Sequence, residues 1–114
     1  MKIIAFVGPS GTGKSHRALT VASKLKVELI IDDGLLVHKG KVAAGRSAKG
    51  EITKLEAVRR AIFANRDHAD EVIKKIQELK PDKILIIGTS EKMVKKISDA
   101  LGLPYPYKII KIDE

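Results

Sequence analysis

The 114-residue sequence has no cysteine and no tryptophan, and it contains two Phe, two Tyr and four Pro. The absence of cysteine excludes disulfide bonds and thiolate metal ligands, and it permits a reducing compartment. Because aromatic residues are scarce, Ile, Val and Leu must fill the core. No apolar run approaches the roughly 18 residues of a membrane span, and no signal-peptide segment opens the chain. We therefore expect a cytoplasmic protein without a membrane partner.

Acidic residues are the minority, with 14 Asp and Glu against 22 Lys and Arg, for a formal net charge of +8. Such a balance fits nucleic acid, a membrane surface or small polyanions, and its sign alone does not choose among them. One Gln and one Asn stand beside many Lys, Glu and Ile. This bias is typical of proteins from hot environments, and we expect a thermophilic source. The length of the chain predicts a single domain over residues 1–114.

A glycine-rich stretch at residues 8 to 15 follows the short apolar run Lys2 to Val7 and precedes a segment with apolar residues at helical spacing. Its pattern, Gly8-x-x-x-x-Gly13-Lys14-Ser15, is the Walker A motif, whose backbone N–H groups cradle phosphate oxygens. Lys14 would reach the β- and γ-phosphates, and the Ser15 hydroxyl would ligate Mg²⁺. The alternative is a tight strand-to-helix connection with no ligand. The predicted nucleotide-binding residues are Gly8, Pro9, Ser10, Gly11, Thr12, Gly13, Lys14, Ser15 and His16.

With this motif the sequence resembles the P-loop NTPase superfamily. The segments "GPSGTGKS", "IIDDGLL", "AGRSAKGE" and "ILIIGTSEKMV" together resemble a small family of bacterial ATP-binding P-loop proteins. The resemblance implies ATP and Mg²⁺ as ligands, and it implies no particular reaction. Since members of that family are longer, it leaves open an acceptor site formed outside this chain.

Periodicity predicts the element order β-α-β-hairpin-α-α-β-α-β, and the pair Lys39-Gly40 suits the turn of the hairpin over residues 35–45. We expect an α/β fold: a three-layer sandwich of reduced size around a mostly parallel sheet, P-loop NTPase-like, with a small β-hairpin insertion. A helix over 52–64 is predicted to face the core through Ile52, Leu55, Val58 and Ile62. The carboxyl ends of the parallel strands should bring residues 8–15, 32–33 and 88–90 to one edge.

Two carboxylates, Asp32 and Asp33, follow the predicted second strand. Asp32 is the first choice for the Mg²⁺ ligand beside Ser15, and Asp33 is a candidate base for water or a substrate hydroxyl. The two roles are interchangeable at this point, and a solvated acidic strand end is the alternative. With an acidic residue at the end of its second strand, the chain resembles nucleotide and shikimate kinases, in which that residue acts on the acceptor substrate. Thr89 and Ser90 fit either a phosphate contact or a helix cap.

Residues 38 to 60 are rich in Lys and Arg, and Arg46 stands in a loop between Gly45 and Ser47. Phosphoryl transfer needs cations over the γ-phosphate, so Arg46 is the first lid candidate, before Arg59 and Arg60. A solvated basic face is the alternative. Nucleic-acid binding is less favoured, because only Phe63 lies near this segment. His16, His38 and His68 match no metal-binding spacing, and we expect each to face solvent or a turn.

The leading hypothesis is an ATP- and Mg²⁺-binding domain with slow ATPase or kinase-like phosphotransferase activity. In it Lys14, Asp33 and Arg46 are catalytic, and Ser15 and Asp32 hold the metal. One rival is a nucleotide-sensing module in which ATP orders the hairpin and the basic loop toward a protein partner. The other is a nucleic-acid-linked ATPase. The acceptor, the choice of ATP over GTP and a homo-oligomeric state remain open.

Overall fold

The computed structural model describes residues 1–9 and 13–112. Within them the chain forms a six-stranded sheet in the order β4-β3-β2-β5-β1-β6. The strands are β1 Lys2–Val7, β2 Leu29–Asp32, β3 Leu35–His38, β4 Lys41–Gly45, β5 Lys83–Gly88 and β6 Lys108–Lys111. The helices are α1 Lys14–Leu25, α2 Lys54–Ala61, α3 Arg66–Leu79 and α4 Glu91–Leu101, with a short 3₁₀ helix at Ala48–Gly50. The predicted α/β class is confirmed.

The centre of the sheet is parallel. Strand β5 lies between β1 and β2 and runs parallel to both, and β6 continues the parallel arrangement beyond β1. A strand covered on both faces needs apolar side chains at successive positions. Residues 3 to 7 of β1 and 84 to 88 of β5 are all buried. The two short apolar runs therefore form central strands, as predicted.

Side chains of β1 alternate between two cores, which makes the fold a three-layer sandwich. Ile3 and Ala5 face the core covered by α3 and α4, whereas Ile4 and Phe6 face the core covered by α1. The buried helix positions on the first side are Ala69, Val72, Ile76, Val94, Ile97 and Leu101, and those on the second side are Ala18 and Ala22. The apolar faces of α1, α3 and α4 therefore pack against the sheet.

The predicted hairpin extends the sheet as an antiparallel pair beyond β2. Lys39 and Gly40 connect its strands with φ angles of 51° and 83°, the left-handed geometry of a two-residue hairpin turn. At the opposite end Gly34 and Gly45 touch so closely that a Cβ on Gly45 would lie 2.3 Å from the Gly34 carbonyl oxygen. The two ends of the hairpin insertion therefore meet directly beyond the end of β2.

Helix α2 corrects the prediction of a helix over 52–64. Thr53 is its N-cap, since the Thr53 hydroxyl accepts a hydrogen bond from the Glu56 N–H at 3.1 Å. Ile52 therefore precedes the helix. The predicted core stripe was wrong at three positions, because Ile52, Leu55 and Val58 are 99%, 69% and 58% exposed.

The face of α2 that packs inward carries small residues. Ala61 is buried, Ala57 and Ile62 are partly buried, and Phe63 beyond the helix is 2% exposed. An ion pair between Arg60 Nε and Glu51 Oε1 at 2.9 Å ties the helix to the end of the 3₁₀ segment. Because this local contact and the small inward residues orient α2, its larger apolar side chains point outward.

Within the described part of the chain, no helix is long and apolar enough to cross a membrane.

Candidate functional site

The start of α1 faces the end of β1. Lys14 Nζ donates hydrogen bonds to the carbonyl oxygens of Gly8 at 2.7 Å and Pro9 at 3.1 Å, so its ammonium group lies beside the two residues that follow β1. Ser10, Gly11 and Thr12, three of the predicted nucleotide-binding residues, lie outside the described residues.

Gly13 directly precedes helix α1 and provides no side-chain cap. Its φ of 73° is left-handed, and it is the N-cap residue of α1. The first turn of α1 has no acidic residue. Backbone N–H groups and the positive end of the helix dipole therefore remain available to an anion at this point, and Lys14 adds a full positive charge beside them.

Ser15 and Asp32 meet although they are distant in sequence. The Ser15 hydroxyl donates to Asp32 Oδ2 at 2.5 Å, joining the first turn of α1 to the last residue of β2. This contact brings together the two residues predicted to hold Mg²⁺.

The chemistry of this oxygen pair suits magnesium. Mg²⁺ prefers oxygen ligands and is usually held by one or two protein groups together with substrate phosphates and water. Among the described residues, no group of three or more His, Cys, Asp or Glu side chains could hold a metal by itself. A hydroxyl and a carboxylate are the two protein ligands expected for Mg²⁺ beside a phosphate group.

Asp33 occupies a constrained position just past β2. Its φ is 55°, its carboxylate accepts from the Ser47 hydroxyl at 3.2 Å, and its carbonyl accepts from the Ala48 N–H at 2.9 Å. Burial raises the pKa of the Asp33 carboxyl above its ordinary value, and neighbouring Asp32 acts in the same direction, while the Ser47 hydrogen bond opposes both. A raised pKa makes this carboxylate a better proton acceptor than an exposed aspartate.

A cavity of about 490 Å³ opens over the Ser15–Asp32 contact, and we call it the phosphate cavity. It lies at the carboxyl ends of β1, β2 and β5, where ligands bind in open parallel sheets. Its lining comprises Gly13, Lys14, Ser15, His16, Asp32, Asp33, Lys49, Ile87, Gly88, Thr89 and Met93. The structure thus brings the described N-terminal part of α1 and both aspartates into one concave site.

A second cavity of about 480 Å³ adjoins the first, and we call it the α2–α4 groove. Its lining comprises Asp33, Ala48, Lys49, Ala57, Val58, Ala61, Ile62, Thr89, Ser90, Lys92, Met93 and Lys96. The two cavities share Asp33, Lys49, Thr89 and Met93. The sequence did not predict this groove, because it depends on how α2 sits opposite α4.

The predicted lid residue Arg46 lies near these cavities but lines neither of them. Its backbone N–H lies 3.2 Å from the Gly34 carbonyl oxygen, and its residue is exposed. Lys49, a cation of the basic segment 38–60, lines both cavities. Ser90 is the N-cap of α4 and accepts from the Met93 N–H at 3.1 Å, as the capping interpretation predicted.

His68 contradicts the expectation that it faces solvent, because it is 2% exposed. Its ring stacks on Phe63 with centroids 4.5 Å apart, and Nε2 lies 2.8 Å from the Gly34 carbonyl oxygen and 3.1 Å from the Arg46 nitrogen. Burial lowers the pKa of His68 below its ordinary value. His68 therefore anchors the turn after Asp33 to the loop that carries Arg46. Its position on the inward face of α3, beside Ala69 and Val72, was the available sequence signal.

Comparisons with known proteins add one finding. The chain is 32% identical over 85 residues to a tRNA dimethylallyltransferase from Lactobacillus acidophilus. The match covers 68% of this chain and 28% of that enzyme, so the chain spans less than a third of its relative's length. No family model and no solved structure matches the chain. The likeness loosely agrees with the resemblance to P-loop proteins, and it supports at most a nucleotide-binding P-loop module.

Proposed function

We propose that this chain binds a nucleoside triphosphate with Mg²⁺ in the phosphate cavity and catalyses slow hydrolysis or transfer of the γ-phosphate. The observation that carries the proposal is the 2.5 Å contact between Ser15 Oγ and Asp32 Oδ2, directly beside Lys14. A hydroxyl from the first turn of a glycine-preceded helix, facing a strand-end carboxylate, is the arrangement with which P-loop enzymes hold a metal–phosphate complex. We take ATP as the nucleotide because a guanine-specifying Asn/Thr-Lys-x-Asp pattern is absent from the sequence.

The proposed roles follow from the positions of the side chains. Lys14 binds phosphate oxygens, and Ser15 and Asp32 hold Mg²⁺, which neutralises phosphate charge when bound. Asp33 accepts the proton of the attacking hydroxyl or water. Lys49 lines the cavity and contributes positive charge toward the γ-phosphate, and Arg46 remains the candidate cation delivered by movement of its loop.

Calorimetric titration with a nonhydrolysable ATP analogue and Mg²⁺ tests the proposal. We expect micromolar binding in the wild type and a loss of at least about a hundredfold in Lys14→Ala, because a charged phosphate contact is removed. Lys24→Ala, on the exposed last turn of the same helix, is the matched control and should bind normally. Absence of binding in the wild type, or equal binding in both variants, would overturn the proposal.

A second candidate function is transfer of an alkyl group to a nucleic acid. The observation that favours it is the match to an enzyme named for dimethylallyl transfer to tRNA, together with the net charge of +8. An alkyl donor with a diphosphate leaving group would also present phosphate oxygens to Lys14. Titration with dimethylallyl diphosphate in place of the ATP analogue separates the two candidates. Tighter binding of dimethylallyl diphosphate, combined with salt-sensitive binding of tRNA, would favour the second.

A further inference from the structure

The lining of the α2–α4 groove includes none of Lys14, Ser15 and Asp32, yet the groove adjoins the cavity that those three residues line. The two spaces meet at Asp33, Lys49, Thr89 and Met93. A ligand in the groove would therefore lie beside the candidate proton acceptor and next to the end of a bound triphosphate. Phosphoryl transfer needs its acceptor at this place, because the acceptor oxygen must approach the γ-phosphorus in line with the leaving oxygen.

The walls of the groove are largely apolar. Helix α2 contributes Ala57, Val58 and Ala61, and Met93 of α4 faces them. Val58 is 58% exposed, and Leu55 one turn earlier is 69% exposed. Large apolar side chains beside a concave surface are typical of a site that covers an apolar ligand. The body of the ligand should therefore be hydrocarbon or aromatic.

The rim of the groove is positively charged. Lys92 and Lys96 lie one turn apart on α4, and Lys49 faces them from the 3₁₀ helix. Neither Lys92 nor Lys96 forms an ion pair among the described residues. Asp33 is the one carboxylate in the described lining, and it lies at the end shared with the phosphate cavity. This charge distribution favours an anionic group on the ligand, away from Asp33.

We propose that the α2–α4 groove binds the phosphoryl acceptor, and that this acceptor is a small organic anion with an apolar body and a hydroxyl group. The inference rests on the proposed function, since it assigns a partner substrate to the same site. The hydroxyl lies at the Asp33 end, and the anionic group lies toward Lys92 and Lys96.

The reaction that follows is a balanced transfer. The hydroxyl oxygen forms a bond to the γ-phosphorus, and the bond from that phosphorus to the β–γ bridging oxygen breaks. The electron pair of the broken bond leaves with the nucleoside diphosphate. The hydroxyl proton passes to the Asp33 carboxylate, which lines both the groove and the phosphate cavity.

Fluorescence titration of the full chain with anilinonaphthalene sulfonate tests the groove, because this probe combines an apolar ring system with an anion. Phenylnaphthylamine, which has the same rings without the sulfonate, is the uncharged comparison. We expect saturable binding of both, with the sulfonate bound several-fold more tightly. A preference for the uncharged probe would overturn the assignment of an anionic ligand.

Paired variants locate the probe. Val58→Asp places a carboxylate on the groove wall and should weaken sulfonate binding about tenfold. Leu55→Asp, on the same exposed helix face but outside the lining, should change it less than about twofold. Lys96→Gln should weaken the sulfonate about threefold and leave phenylnaphthylamine unchanged, whereas Lys74→Gln on exposed α3 should affect neither. Equal effects of Val58→Asp and Leu55→Asp would overturn the inference.

The same samples separate failure of this inference from failure of the proposed function. Each variant is also titrated with the ATP analogue, and Lys14→Ala is titrated with the sulfonate probe. We expect Val58→Asp to retain nucleotide binding and Lys14→Ala to retain probe binding. Loss of probe affinity in Lys14→Ala would overturn the groove assignment, because it would place the probe in the phosphate cavity. Absence of nucleotide binding with probe binding intact would instead overturn the proposed function.

Discussion

Strands β1 and β2 end at the same edge of the sheet, but the chain after each strand is built differently. Six residues separate β1 from α1, which packs against the sheet through Ala18 and Ala22. After β2 the chain turns through a hairpin, a 3₁₀ helix and the exposed α2 before α3 returns it to the core. The first region connects its strand to its helix within a few residues, whereas the second region takes more than 30 residues to return to the core.

The long-range contacts of the second region converge near Asp33. The Gly45 N–H donates to Glu71 Oε2 at 2.8 Å, the Arg46 N–H lies 3.2 Å from the Gly34 carbonyl oxygen, and His68 reaches the same carbonyl. The predicted phosphate-binding motif, by contrast, is continuous in the sequence. Placement of the candidate base and of the groove requires the whole fold.

The largest effect should come from Asp33→Asn, which tests whether the region after β2 contains a catalytic group. The amide retains the shape of the carboxylate but is a very weak proton acceptor, so we expect turnover to fall by roughly a thousandfold with nucleotide affinity unchanged. Phosphate release or acceptor phosphorylation measures turnover, and calorimetry measures affinity. Asp82→Asn, at an exposed turn remote from the site, is the control. Unchanged turnover in Asp33→Asn would remove Asp33 from the proposed mechanism.

Gly45→Ala tests how tightly the hairpin closes. A Cβ at this position would lie 2.3 Å from the Gly34 carbonyl oxygen, and φ is 94°. We expect a loss of about 3 kcal/mol in the free energy of unfolding, from displaced backbone and strain. Gly40→Ala also has a positive φ, of 83°, but its Cβ meets nothing within 4 Å, so about 1 kcal/mol is expected. Denaturant melts compare the two, and equal losses would show that the Gly34–Gly45 contact contributes nothing.

Lys49→Ala and Arg46→Ala compare two cations that lie close in sequence after the hairpin. Lys49 lines the phosphate cavity, so its removal should weaken ATP-analogue binding about fivefold. Arg46 lines neither cavity, so its removal should leave affinity intact and lower turnover if its loop closes during the reaction. Calorimetry and single-turnover kinetics distinguish these results. A larger loss of affinity in Arg46→Ala than in Lys49→Ala would reverse the two assignments.

The smallest expected effect is the pH dependence of the His68 anchor. Burial lowers its folded-state pKa, so the unfolded chain takes up the proton first as the pH falls below about 6.5. The contribution of His68 to stability is therefore complete above that pH and decreases toward the lowered pKa. Thermal melts between about pH 7.5 and about pH 5 should show a steeper decline for the wild type than for His68→Gln. His16→Gln, at an exposed position, is the control, and parallel profiles for the wild type and His68→Gln would contradict the prediction.

Local periodicity and residue spacing were enough to predict the central strands and the hairpin. Residues 2–7 and 83–88 are apolar at nearly every position because both of their faces are covered, and that pattern is visible without a structure. The spacing of Gly8, Gly13, Lys14 and Ser15 predicts a phosphate site, and this stays a prediction. Lys39-Gly40 predicted the hairpin turn, because a two-residue turn needs left-handed backbone there.

Packing between distant elements sets which face of α2 is buried, where His68 lies and which cation lines the phosphate cavity. The apolar spacing at Ile52, Leu55 and Val58 matches a core-facing helix, yet a helix rotates to suit the partners that it meets. Here those partners are the 3₁₀ segment and Glu51, which lie beyond the reach of periodicity. Likewise, the Ser15–Asp32 contact and the α2–α4 groove exist because parallel strands bring distant residues to one edge. Local pattern specifies the elements, but packing between them specifies the site.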